Sequence, residues 1–313
     1  MKEARWAARV PSWGAVLGRA MAGGAIMALA LGSGMALGTP LADAVNASGR
    51  GAQLVAAIPV SGVAAILVLV TLRRRRRTWA SIGFGEMNAS VRALLTGVGI
   101  TAASAALVLG AGTAVGLLSW TRPDLSDLAG FVAVNALVAL LLEALPEETT
   151  LRGLTWTSLR EHRSATAAAL GTTLVFMAVP GAASAVAATI RWLTGGEPLP
   201  VGLAPPGQRT ADYLILLFLF GLTLVAARTA LREAPLWTAI GTHLTFLTVN
   251  RITLEGQDRN AGWSAEQAGP DAVLLIPLYL LVAAAAFVVC GRLLRRRSGP
   301  VSTATAAPES VGR

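Results

Sequence analysis

Charge, lysine, histidine and cysteine are all scarce in this 313-residue chain. Charged residues make up 14%, where an ordinary soluble protein carries about a quarter, while 54% are hydrophobic. That balance excludes a disordered chain and argues against a water-soluble domain. The one cysteine, Cys290, lies in an apolar stretch with no partner, so it supports neither a disulfide framework nor a cysteine-based metal site. There is a single lysine, Lys2, so the formal charge of +9 is almost wholly arginine. No internal repeat is evident.

What is abundant is long apolar sequence. A helix needs about twenty apolar residues to cross a hydrocarbon layer of roughly 30 Å. Runs of that kind fall at 15–37, 52–72, 91–118, 131–159, 165–190, 213–227, 235–252 and 272–290. The expected fold is all-α, a polytopic membrane helix bundle of about eight transmembrane helices. The first run follows Lys2, Arg5 and Arg9 and precedes a signal-like Ala42-Asp43-Ala44. It is longer than a signal-peptide core and reads as a retained helix. The apolar runs give a three-helix region 1–129, a stretch 130–255 that the family resemblance described below implies is the core, a loop and last helix 256–298, and a disordered Ser, Pro, Ala and Gly-rich tail 299–313.

Basic residues are retained on the cytoplasmic side of short loops. With eight spans and the N-terminus inside, nineteen Lys and Arg fall on inner segments and six on outer ones, with Arg152 inside a span. Both termini are therefore expected in the cytoplasm, in a plasma membrane. The Ala, Gly and Arg-heavy usage points to a bacterium. Arg73 to Arg77 directly follow a span, where topology and anionic lipid suffice to explain them, so no nucleic-acid partner is expected.

Charges inside apolar runs cost about 2.5 to 3.5 kcal/mol each on the lenient insertion scale, and residues retained there usually have a task. The fourth run holds Glu143, Pro146, Glu147, Glu148 and Arg152. Glu148 and Arg152 are four apart with the acid first, the favourable order for a helical ion pair. Glu143 and Glu147 are also four apart and share a face, where a carboxylate can serve as general base or acid. Pro146 removes a helical hydrogen bond beside them, predicting a kink. In the seventh run His243 and Asn250 are seven apart and project from nearly the same face. Helical rise places His243 roughly 15 Å from the Arg232 break and Glu147 roughly 20 Å from Arg160, so both are expected at similar depth in the cytoplasmic half to middle of the bilayer. His162 lies in a loop and receives no role. Spacing alone leaves three uses open: chemistry, locking helices together, and an ion path.

Glu147-Glu148-Thr-Thr-Leu-Arg152-Gly153 resembles the Glu-Glu-x-x-x-Arg motif of the CPBP family of intramembrane endopeptidases, which includes type II CAAX prenyl proteases and bacteriocin-processing or immunity (Abi-like) proteins. Phe220-Gly221-Leu222, Arg228-Thr229 and Pro235 to His243 resemble the family's run from a Phe-Gly-Leu helix to a histidine in the next helix. The resemblance spans roughly 131–251. It implies a membrane protease in which Glu147 activates water, Glu148 and Arg152 support it, and His243 is the third-motif histidine. Glu143 and Asn250 are possible supporting residues. The substrate would be a peptide or membrane protein, cleaved near the cytoplasmic side.

Two positions depart from the pattern. The middle motif, Phe-x-x-x-His, reads Phe176 to Pro180, and the third, His-x-x-x-Asn or Asp, reads His243 to Leu247, with Asn250 one turn beyond. With one histidine, the cofactor expectation is none or a weakly held divalent metal such as zinc. The rival readings are a catalytically silent relative that binds membrane partners and an ion-coupled transporter using Glu143, Glu147 and Arg152.

Overall fold

The computed structural model describes residues 13–197 and 199–297. The terminal basic residues Lys2, Arg5 and Arg9 and the expected tail 299–313 lie outside that set. Among the described residues, eight helices follow one another: α1 Trp13–Ala44, α2 Gly49–Arg74, α3 Met87–Ala114, α4 Leu125–Arg160, α5 Ala165–Leu193, α6 Thr210–Ala230, α7 Pro235–Glu255 and α8 Leu275–Arg297. They correspond one for one with the eight apolar runs. All but α7 are long and apolar enough to cross a membrane. This is a multi-pass helical membrane protein.

The exception has a physical reason. α7 carries His243, Asn250, Arg251 and a series of threonines, yet most of its first three turns is buried against α3, α4 and α6. A helix shielded by protein need not be apolar all round. The bundle surface shows the converse: Ile58, Ile66, Leu95 and Leu107 are exposed, the face a lipid-bathed protein presents.

Small residues let the helices approach closely. Gly97 of α3 and Gly241 of α7 face each other's helix backbone, so that a side-chain carbon at Gly97 would overlap the Thr238 carbonyl and one at Gly241 the Leu94 carbonyl. Gly23 does the same for α1 against α4, where an added carbon would meet the Thr150 carbonyl and the Thr155 hydroxyl. The N-terminal helices outside the expected protease-like core therefore form part of its packing.

Local signals set several helix starts. The Asp124 carboxylate accepts from the backbone N–H groups of Ser126 (2.9 Å) and Asp127 (3.1 Å) to cap α4, and the Ser164 hydroxyl accepts from Ala167 N (3.2 Å) to cap α5. α7 opens on Pro235, whose missing N–H is harmless in a first turn. The all-α expectation has one small exception. Leu118–Trp120 (β1) pairs antiparallel with Ala265–Gln267 (β2), joining the α3–α4 and α7–α8 connections.

Arginines crowd the other end of the bundle. Arg77 pairs with Glu161 (2.6 Å), whose hydrogen-bonded carboxylate holds the guanidinium above its ordinary value. Arg75 is pushed the other way, by burial and then by Arg19 and Arg77. Trp79, Phe84 and Trp237 follow in an edge-to-face series (5.4 and 5.9 Å). Aromatics at such a level are typical of a membrane interface.

Candidate active site

The motif segment of α4 is not ordinary α-helix. Leu140–Ala144 and Glu148–Thr155 are π-helical, with backbone bonds reaching five residues instead of four, on either side of a short α-turn at Leu145–Glu147. Pro146 was expected to produce a kink; the structure answers its missing N–H by widening the helix. Thr150 donates its hydroxyl to the carbonyls of Pro146 (2.8 Å) and Glu147 (3.1 Å), so backbone groups loosened by the altered register are satisfied.

The widened turns carry Glu148 and Arg152 into the protein interior, where both side chains have no exposure. Arg152 Nη1 donates to Glu148 Oε1 at 3.3 Å, and its guanidinium lies 4.4 Å from the centre of the Phe176 ring. The same Glu148 oxygen accepts from His243 Nδ1 at 2.9 Å. With Nδ1 engaged, His243 turns Nε2 toward Glu147 Oε2, 4.0 Å away. That gap is too long for a direct hydrogen bond and suits a water touching both groups. His243 is held edge-on by Phe220 (4.9 Å between ring centres), which stacks on Phe246 (4.0 Å).

Exposure sorts the two motif acids. The Glu147 side chain is 12% exposed against none for Glu148, and it lines a cavity of about 800 Å³ together with Glu143, Pro180, Tyr213, Phe220 and His243. Glu148 is the buried anchor and Glu147 the carboxylate that reaches the cavity. The structure thus brings Glu147, Glu148, Arg152 and His243 into one cluster drawn from two helices.

The supporting residues divide. Glu143 reaches the cavity, but its carboxylate accepts from Arg251 Nη2; Arg251 also donates to Asn135 Oδ1 (2.9 Å), and Asn135 Nδ2 donates to the Thr248 hydroxyl (2.9 Å). Arg251, at the end of the apolar run 235–252 and one of the six basic residues assigned to the outer side, is a helix-to-helix clamp within α7. Asn250 is placed elsewhere altogether: its Oδ1 accepts from Tyr279 of α8 (2.8 Å), and it does not line the cavity. Seven residues beyond His243 it shares a nominal face but lies about 10 Å further along the axis. Leu247 and Pro180, at the two departing motif positions, do line the cavity.

Sequence reasoning did not single out Tyr213. This α6 residue lines the same cavity as Glu143, Glu147 and His243. As one of only two tyrosines in the chain it was available as a signal, but no motif marks it.

The donor set does not fit a catalytic zinc, which takes three protein ligands plus water. No group of three His, Cys, Asp or Glu arranged to hold an ion occurs among the described residues. One donor atom of His243 and one of Glu148 are spent on each other, and Glu143 is held by Arg251.

Fold and site together define a helical membrane protein with a buried Glu–Arg–His cluster beside a water-sized gap in an internal cavity. Residues 129–249 match the family described as type II CAAX prenyl endopeptidase Rce1-like, consistent with the CPBP resemblance and typical of a protease. No curated protein and no solved structure matches the chain.

Proposed function

We propose that the chain is an intramembrane endopeptidase in which Glu147 is the general base. The observation that carries this reading is the 4.0 Å gap between Glu147 Oε2 and His243 Nε2, facing the cavity, with His243 oriented from behind by Glu148. A water in the gap donates one hydrogen toward Glu147 and the other toward Nε2, leaving its lone pair directed at a carbonyl in the cavity. As the oxygen–carbon bond forms, the proton passes to Glu147, which then delivers it to the departing amine as the carbon–nitrogen bond breaks. Tyr213 is the nearby donor for the developing oxyanion, the part for which Pro180 has no group. Glu148 acts through His243, fixing its tautomer, while Arg152 balances the Glu148 charge.

Pro180 favours a second reading, a relative that binds peptides without cutting them, because the middle-motif position reaches the cavity without a polar atom. One experiment separates the two. In proteoliposomes the wild-type protein is expected to cleave a membrane-anchored reporter, and Glu147→Gln is expected to abolish turnover while leaving the melting temperature unchanged. Equal turnover in the two proteins removes Glu147 from the mechanism; reporter binding without cleavage by the wild type establishes the silent relative.

A further inference from the structure

The cavity has a direction. On the side facing the arginine-rich end a separate cavity of about 440 Å³, lined by Trp79, Phe84, Trp237, Pro146 and Thr149, comes up to α4, but neither Glu147 nor His243 lines it, and packed helices lie between it and the site. Thr150, Leu151, Arg152 and Thr155 have no exposure, and Thr155 donates to the Ala20 carbonyl of α1 (2.7 Å), sealing the contact that Gly23 permits. Around the sides, α1, α4, α7, α6 and α5 pack each against the next. At the opposite end the cavity is lined by the α5–α6 connection, residues 199–202 and 204–206, of which Val201 is 64% exposed. This connection is pinned over α5: the Ser184 hydroxyl donates to the Gly202 carbonyl and accepts from Gly202 N, both at 3.1 Å.

The clusters Arg73 to Arg77, Arg160 with Arg163, and Arg228 with Arg232 all sit at the sealed end. Basic residues stay cytoplasmic. We infer that this site takes a peptide segment presented on the extracytoplasmic face, entering end-on past the α5–α6 connection. This differs from the cytoplasmic-side cleavage expected from the depth of Glu147 and His243 below the Arg160 and Arg232 breaks, and excludes a cytosolic chain terminus as substrate. The claim about a peptide rests on the protease reading; the claim about access does not.

Cysteine labelling tests access without requiring activity. In a Cys290→Ala background, single cysteines are placed by Val201→Cys in the connection, Leu216→Cys in the cavity wall and Thr78→Cys at the arginine-rich end. A membrane-impermeant maleimide is then applied to intact cells and to inverted vesicles. Val201→Cys and Leu216→Cys are expected to label in intact cells, and Thr78→Cys in inverted vesicles alone. If Leu216→Cys disturbs folding, Met35→Cys reports the same cavity from α1. Labelling of the cavity cysteine from the cytoplasmic side, or from neither side, overturns the inference. A companion assay uses reporters whose cleavable segment lies on one face or the other. Cleavage of the outer reporter supports the inference and cleavage of the inner one refutes it. If neither is cut, the protease reading falls and the labelling result alone decides the route of access.

Discussion

Arg152 is the residue whose removal should be felt most. Its guanidinium is fully buried, holds Glu148 at 3.3 Å and lies over the Phe176 ring. Arg152→Met keeps much of the volume but leaves a buried carboxylate without its cation, a change that costs about 3 to 5 kcal/mol. The bond from His243 to Glu148 survives and holds the loss toward the lower figure, while losing the desolvated contact with Phe176 adds back about 2 kcal/mol. At about 2 to 4 °C per kcal/mol for chains of 150 to 250 residues, the apparent melting temperature should fall by about 6 to 20 °C. The eight tryptophans, Trp156 among those buried, provide the fluorescence signal in detergent. Arg152→Lys should fall between the two, because an ammonium keeps the charge but not the planar face over Phe176. Combining Arg152→Met with Glu148→Gln removes both charges and should recover much of the stability while cleavage stays lost, since His243 no longer has its orienting carboxylate. A melting temperature for Arg152→Met within about 2 °C of wild type would refute the buried-pair argument.

Other substitutions probe separate parts of the account. Tyr213→Phe should lower kcat by roughly 100-fold with little change in KM, the usual cost of losing one oxyanion donor, and an unchanged kcat would remove Tyr213 from the reaction. Gly23→Val should drive α1 away from α4, because even a first side-chain carbon overlaps Thr150 and Thr155; loss of the folded fraction in size-exclusion chromatography is the readout. Asn250→Leu should lower stability by about 1 to 3 kcal/mol through the stranded Tyr279 hydroxyl while sparing kcat, and a kcat loss with unchanged stability would restore Asn250 to the site.

The sequence made the buried cluster legible because its signal is thermodynamic. Two glutamates, an arginine and a histidine cannot sit in apolar runs without partners, and the four-residue spacing of Glu148 and Arg152 named one partnership directly. The eight helices were legible for the same reason. Arg251 shows where such reading fails: a charge near the end of an apolar run looks like a loop residue, and only the arrival of Glu143 from another helix makes it a clamp. Asn250 failed through distance along the helix, which a shared face does not reveal. The π-helical turns were invisible because hydropathy records which residues are apolar, not which carbonyl each N–H will choose. The expected cytoplasmic-side cleavage came from counting helical rise from the basic breaks, which gives a side chain's depth but not the direction in which its cavity opens; the lining of the cavity depends on how the α5–α6 connection folds back over α5.

The most direct test of the central claim is to follow the oxygen. In a single turnover of excess protein with a reporter peptide in ¹⁸O-water, a base-activated water places the heavy oxygen in the new peptide carboxylate and none in Glu147. Heavy oxygen appearing in the Glu147 carboxylate would show attack by the side chain itself and contradict the account.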